Sequence, residues 1–399
     1  MRIRYHSPVR IVDSNEGLTT LIAELSSAPY LALDTEFLRD QTYYPKLCLI
    51  QVAAPPVNGD GVEAIIDPLA PGLDLAPFYE LLKRPDIVKV LHAARQDIEI
   101  FYLQGGMLPH PLFDTQVAAM VCGFGDAASY ETLARRIAHV EIDKSARFTD
   151  WSHRPLSKRQ LEYALADVTH LRVIYEWMKA KLDKTGRYSW VAEEVAALQD
   201  PALYRLDPEM AWKRLKPRSS SKRFLATLAG IAAWREREAQ ARDIPRGRVL
   251  KDEAITEIAA HPPETPEGLE RIRAVPKGFA NSKLGKGLME ALAASANVAA
   301  PEGAVAPPAR RRRDPSPAAI ELLKILLRLR AEAAGVAPRL IANADDIERL
   351  AVEDDDGVAA LSGWRAEVFG NDAKLLRRGD LAIALENGEA VVVELEADA

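Results

Sequence analysis

The chain has 399 residues, 48% hydrophobic and 28% charged, with a formal net charge of −6. This length predicts two or three globular domains, and the composition excludes a disordered or fibrous chain. No apolar run approaches the roughly 20 residues of a membrane helix, and Met1 to Pro8 lacks the apolar stretch of a signal peptide. Two cysteines, Cys48 and Cys122, show no CxxC or Cys/His metal spacing and read as buried reduced thiols, so a cytoplasmic location is expected.

The first half alternates strands and helices. Val9–Val12 reads as a strand and Asn15–Ser26 as a helix. Tyr30 to Leu33 is an apolar run after Ser-Ser-Ala-Pro and predicts a buried strand ending at Asp34. Residues two apart on a strand share a face, so Asp34 and Glu36 would project together. Two acids on one face repel, and a divalent cation would resolve the repulsion, although D-x-E alone is common. Strands Leu47–Val52 and Ala64–Asp67 follow after short links, which favours antiparallel pairing.

Helix Leu75–Lys83 and strand Ile87–Leu91 lead to His92 and to a helix over Asp97–Leu103. Asp97 suits a helix first turn on electrostatic grounds alone. His92 fits a packed or capping role better than metal ligation, because Mg²⁺ prefers oxygen. A short strand Leu112–Asp114 and helices Thr115–Val121 and Tyr130–Ile137 come next. Ser157-Lys158-Arg159-Gln160 has the form of a capping box and starts a helix at about Lys158 that runs to about Leu182. Tyr163 and Asp167 lie one turn apart on its surface.

In this order, D-x-E, a distant Asp and Y-x-x-x-D resemble the DEDDy class of 3′→5′ exonucleases, and more narrowly the ribonuclease D family. The wording around the sites carries the resemblance: Leu33-Asp34-Thr35-Glu36-Phe37, Leu47-Cys48-Leu49-Ile50-Gln51-Val52, Leu91-His92-Ala93, Asp150-Trp151-Ser152-His153-Arg154-Pro155-Leu156 and Tyr163-Ala164-Leu165-Ala166-Asp167-Val168. It is strong over about residues 5–205 and implies a ribonuclease-H-like fold, a mixed sheet flanked by helices. It also implies roles. Asp34, Glu36 and Asp167 would hold the metal that carries the attacking water. Asp34 would reach a second metal, with Asp97 supporting it directly or through water, and Tyr163 would orient the water. The ions would be two Mg²⁺ or Mn²⁺. Phe37 would wedge against the terminal base or serve as a core aromatic, and Gln51 would touch substrate or pair within the sheet. His92 is carried as a lesser substrate-binding candidate.

After Leu206-Asp207-Pro208 the strand signals vanish. Helices are expected over Glu209–Leu215, Ser221–Ala241, Asp252–Ala260, Pro266–Ile272 and Ser282–Ala294, with Asp252 and Thr265 as N-caps. The stretch Trp234 to Arg246 resembles the core of an HRDC domain, a helical bundle. Lys213, Arg214, Lys216, Arg218, Lys222 and Arg223 form an unbalanced basic cluster and are the candidate RNA contacts. Residues 297–317, rich in Pro and Ala and carrying Arg310 to Arg313, read as a linker that either clamps phosphates or only tethers. Beyond it, helices are expected over Ala318–Ala334, Ala344–Leu350, Val358–Leu361, Glu367–Phe369, Asp372–Leu376 and Gly379–Leu385, as a second, divergent HRDC-type bundle.

Charge is segregated along this plan. Residues 1–206 hold 22 basic and 27 acidic groups, residues 207–290 hold 17 and 12, residues 291–339 hold 8 and 4, and residues 340–399 hold 5 and 15. The basic middle should attract phosphates, and the acidic end is expected to pack against it. The expected domains are 1–206, 207–296 and 318–399.

The expected activity is 3′→5′ exoribonuclease hydrolysis to 5′-mononucleotides, trimming RNA with a single-stranded 3′ end such as tRNA precursors. A monomer with no obligate protein partner is expected. The alternatives are a DNA 3′→5′ exonuclease of proofreading or repair type and a non-catalytic nucleic-acid-binding scaffold. Intact Asp34, Glu36, Asp97, Tyr163 and Asp167 count against the scaffold.

Overall fold

The computed structural model describes residues 9–56, 61–147, 149–296, 298–301 and 314–395. The chain divides into two compact units. One comprises Met1–Glu36, Cys48–Pro201 and Arg312–Ala399, and the other Phe37–Leu47 with Ala202–Arg311.

The first unit is built on a six-stranded mixed sheet. Its strands are β1 (Ile11–Val12), β2 (Tyr30–Leu38), β3 (Lys46–Ala54), β4 (Val62–Ile66), β5 (Val88–Leu91) and β6 (Leu112–Asp114), in the order β1-β4-β3-β2-β5-β6. β3 and β4 run antiparallel, whereas β2, β5 and β6 are successively parallel. The helices of this region are α1 (Asn15–Leu25), α2 (Ala76–Leu82), α3 (Arg95–Gly105), α4 (Thr115–Val121), α5 (Tyr130–Leu133), α6 (Lys158–Thr185) and α7 (Tyr188–Ala196). The central strands are almost wholly buried, so Leu31, Leu33, Leu49, Ile50 and Val90 are continuous apolar filling. Both cysteines are buried, and neither forms a disulfide.

Two departures from expectation bear on the sheet. β2 does not stop at Asp34 but continues through Glu36 to Leu38, which places both acids inside the strand. Gln51 is fully buried in β3, and among the described residues neither amide atom finds a hydrogen-bond partner. Its backbone pairs with Ile65 in the sheet, and it is the side chain that makes no pair there.

Lys89 on β5 is also fully buried. Its ammonium donates to the carbonyls of Arg84 at 2.7 Å and Ile87 at 2.6 Å, and to that of His110. Burial pulls its pKa down to about 8. Lys89→Met would strip three carbonyls of their partner, and it is expected to cost about 2–4 kcal/mol. A lowered urea midpoint with an unchanged slope would show it.

The second unit is helical: a 3₁₀ turn (Pro208–Arg214), then α8 (Lys222–Arg242), α9 (Arg246–Val249), α10 (Asp252–Ala260), α11 (Pro266–Glu270) and α12 (Lys283–Ser295). Its core includes Phe224, Leu228, Ile231, Ile255, Ile258, Leu269 and Leu288. Glu236, 1% exposed, is the buried hub. It receives Arg246 through two contacts of 2.6 Å, Arg214 at 3.0 Å and the Tyr43 hydroxyl. Thr265 caps α11 as expected. Asp252 does not cap α10; Lys251 holds the cap position, and the Asp252 carboxylate instead accepts from Arg235 at 2.5 Å.

The acidic end packs differently from expectation. It clusters with the first unit, led by α13 (Pro317–Ala334). Trp364 stacks on Trp190 of α7 with ring centroids 4.4 Å apart, and Arg365 bridges Glu193 and Glu194 of the same helix. The segment 379–385, expected as a helix, is instead half of a hairpin formed by β7 (Leu381–Glu386) and β8 (Glu389–Glu394). Asn387 and Gly388 form its two-residue loop, both at positive φ, the arrangement that Asn-Gly favours. The remainder of that region is helical. Arg310 to Arg313 lie outside the described residues.

Candidate active site

Three segments converge. β2 supplies Asp34 and Glu36, α3 supplies Asp97 in its first turn, and α6 supplies Tyr163 and Asp167. The start of α6 is fixed by the complete capping box, in which the Ser157 side chain accepts from the Gln160 amide and Gln160 reaches back. One oxygen from each of Asp34, Glu36 and Asp167 lies within 4.8 Å of the others. Asp97 stands outside that trio. Thr35, between the two β2 acids, donates to it at 2.5 Å.

The acids are crowded and poorly solvated. Burial, then Asp167, Asp97 and Glu36 in turn, pushes Asp34 well above the usual carboxylate range. Burial and the charges of Asp167 and Asp97 raise Glu36 to about 9, against a lowering by Arg147. Burial raises Asp167 to about 7, partly offset by a hydrogen bond from Tyr163 and by Arg147. Asp97 is likewise raised to about 7 by burial, and the Thr35 bond opposes this. Tyr163 is pushed far above its ordinary 10, by burial first and then by Asp167, Glu36 and Asp34. A half-buried to buried set of carboxylates with so little compensating charge fits hard divalent cations, whose ligands are oxygens.

Beside the acids lies a cavity of about 350 Å³, lined in part by Asp34, His92, Tyr130, Arg147, Tyr163 and Asp167. The His92 Nδ1 lies 3.0 Å from Thr115 Oγ1. The Thr115 hydroxyl spends its one proton on the Leu91 carbonyl, so it accepts from His92 and leaves Nε2 as the ring's acceptor. Burial lowers the pKa of His92, which favours this neutral ring.

Three supporting groups escaped the sequence reading. Arg147 comes from an irregular segment with no periodicity to flag it, yet it is the one cationic side chain lining the cavity among the described residues. Asp114, 2% exposed, accepts from the amides of Ala93 at 3.1 Å and Ala94 at 2.9 Å, and it caps α4. It thereby fixes the turn joining His92 to α3, where Ala93 sits at φ 56°, a costly conformation for a residue with a Cβ. The Tyr130 hydroxyl bonds the Asp167 carbonyl. Asp114 alone left a legible trace, as a strand-ending Asp before a helix.

Phe37, half-buried on β2, is not among the cavity's lining residues. Lys213, Arg214, Lys216, Arg218, Lys222 and Arg223 are all exposed on the helical unit, and Arg214 is partly committed to Glu236.

The fold and the carboxylate cluster define a 3′-5′ exonuclease, and the model of the family described as 3′-5′ exonuclease matches residues 9–183. The HRDC domain model matches residues 224–292. The chain is 47% identical to ribonuclease D of Granulibacter bethesdensis, covering 98% of each chain. It is 49% identical to ribonuclease D of Acidiphilium cryptum, over 96% of this chain and 97% of the relative. The crystal structure of Escherichia coli RNase D, described as an exoribonuclease involved in structured RNA processing, superposes with a TM-score of 0.76 at 29% identity. That match covers 94% of this chain and 99% of the other.

This chain belongs to the ribonuclease D family, the 3′→5′ exoribonucleases that hydrolyse RNA. Members of the wider exonuclease class use divalent metals, and the carboxylate cluster is present. No helix among the described residues is long and apolar enough to cross a membrane.

Proposed function

We propose that the protein trims the 3′ ends of structured RNA such as tRNA precursors, releasing 5′-mononucleotides, with two Mg²⁺ or Mn²⁺ held by Asp34, Glu36, Asp97 and Asp167. The observation that carries this reading is the trio of carboxylate oxygens within 4.8 Å, Asp167 buried and Asp34 and Glu36 half-buried, all short of compensating charge. When bound, the cations supply charge neutralisation at the phosphate and a more acidic water. The rest follows from the chain's own groups. Tyr163 stays protonated at neutral pH, so it orients a nucleophile by hydrogen bonding and does not remove its proton. Arg147 offers a positive charge to the phosphate entering the cavity. His92, with Nε2 as acceptor, matches a donor such as the ribose 2′-hydroxyl.

We assign the exonuclease domain to residues 1–206, the HRDC-type domain to 207–296, a linker to 297–317 and a second helical domain to 318–399. The basic cluster from Lys213 to Arg223 is assigned to gripping the RNA body, in a cytoplasmic monomer.

The test is digestion of 5′-labelled RNA and DNA oligonucleotides of matched sequence, with and without divalent cation. Stepwise shortening of RNA from the 3′ end, dependent on the cation, is expected. Equal or faster cutting of DNA would favour the DNA exonuclease, and cutting of neither would leave the scaffold. Arg147→Ala is expected to lower kcat/KM about tenfold, chiefly by raising KM. Unchanged steady-state kinetics would remove Arg147 from phosphate binding.

A further inference from the structure

Trp177 lies on α6, fourteen residues beyond Tyr163 and just short of four helical turns, so it emerges on nearly the same side of the helix. It is 40% exposed, unusual for so large an apolar side chain, and Val173 one turn before it is 43% exposed. Its surroundings are cationic and aromatic. The Phe124 ring meets it edge-on at 5.6 Å between centroids. The Arg136 guanidinium lies 4.4 Å above the Phe124 ring, and the Lys181 ammonium lies 5.1 Å from the Trp177 ring. Lys181 is steadied by the Cys122 carbonyl at 2.8 Å. The neighbouring acid on the helix, Glu176, is occupied by the Tyr30 hydroxyl at 2.5 Å.

The same two stretches of chain line both this patch and the catalytic cavity. From α6 come Tyr163, Asp167 and Leu171 for the cavity and Trp177 and Lys181 for the patch. From residues 124–136 come Ser129, Tyr130 and Glu131 for the cavity and Phe124 and Arg136 for the patch. Trp177 is six residues past Leu171, about 9 Å along the helix. An aromatic face edged with cations is what unpaired bases and their phosphates require, and it suits any base because every base has a stacking face.

We propose that Trp177, with Phe124, Arg136 and Lys181, forms a stacking platform for single-stranded RNA several nucleotides upstream of the terminal residue in the cavity. This rests on the exoribonuclease reading of the same unit. The platform holds the strand between cleavage steps and lets long substrates bind better than short ones.

The test compares wild type, Trp177→Ala, Trp177→Phe and Arg136→Ala on a dinucleotide and on an oligouridine dodecamer. Affinity for the dodecamer is measured with a phosphorothioate 3′ linkage that resists cleavage. Trp177→Ala is expected to weaken dodecamer binding about tenfold while dinucleotide turnover stays at the wild-type rate. Trp177→Phe should retain most of the affinity, and the bound dodecamer should quench wild-type tryptophan fluorescence more than that of Trp177→Ala. Wild-type dodecamer affinity in Trp177→Ala, or an equal loss on both substrates, would overturn the platform; the first result would turn the patch towards a protein partner. Failure of the wild type to cleave would strike the nuclease reading alone, because binding and quenching are read without turnover.

Discussion

Asp167→Asn is expected to slow RNA hydrolysis by about a thousandfold and, at pH 8 without divalent cation, to make the protein more stable by about 2 kcal/mol. Both effects have one cause. Asp167 is buried beside Asp34 and Glu36, and its pKa is raised to about 7 from an ordinary 3.8. Between about pH 4 and 7 the folded chain keeps a proton that the unfolded chain has released, so stability falls as pH rises through that window. At pH 8 the metal-free fold carries a buried charge with too little to offset it, and the amide removes that charge. The same amide is a far poorer ligand for a hard cation, so activity is lost. Denaturant titration in chelator, paired with a hydrolysis assay, measures both. A destabilised and inactive variant would mean that Asp167 is a structural residue.

The second large effect is the dependence of cation stabilisation on pH. Asp97 and Asp167 are raised to about 7 and Glu36 to about 9, so around pH 5 the cluster holds protons and a cation must displace them. At pH 8 fewer protons compete and the buried repulsion is larger. Saturating Mg²⁺ or Mn²⁺ is therefore expected to raise the melting temperature of the exonuclease unit by about 5–10 °C at pH 8 and by much less at pH 5. Calorimetry at the two pH values, with and without cation, checks this. Equal shifts at both would show that the cation acts elsewhere.

What the sequence revealed was local. The capping box at Ser157 and Gln160 needs four consecutive residues, and it placed the start of α6 correctly. Asp34 and Glu36 share a strand and are related by its period of two, while Tyr163 and Asp167 share a helix turn. Bringing those pairs and Asp97 to one place needed the family resemblance, because no spacing rule specifies a parallel sheet order.

What escaped depends on distant partners or on cues that compete. Asp114 looks like an ordinary cap until its carboxylate is seen holding the Ala93–Ala94 turn some 20 residues earlier in the chain. Arg147 sits in irregular chain and matters only because the acids are opposite. The acidic end was assigned by charge to the basic middle, but a stacked tryptophan pair and the Arg365 bridges carry it to α7. Leu381 to Glu386 is composed of good helix formers, and that propensity outweighed the Asn387-Gly388 turn that fixes the hairpin.

The most direct measurement is anomalous diffraction from crystals soaked in Mn²⁺ with a 3′-terminal nucleotide. Strong peaks are expected between Asp34, Glu36 and Asp167, with the nucleotide phosphate beside them in the cavity lined by Tyr163 and Arg147. Well-ordered acids with bound nucleotide and no manganese among them would contradict that expectation.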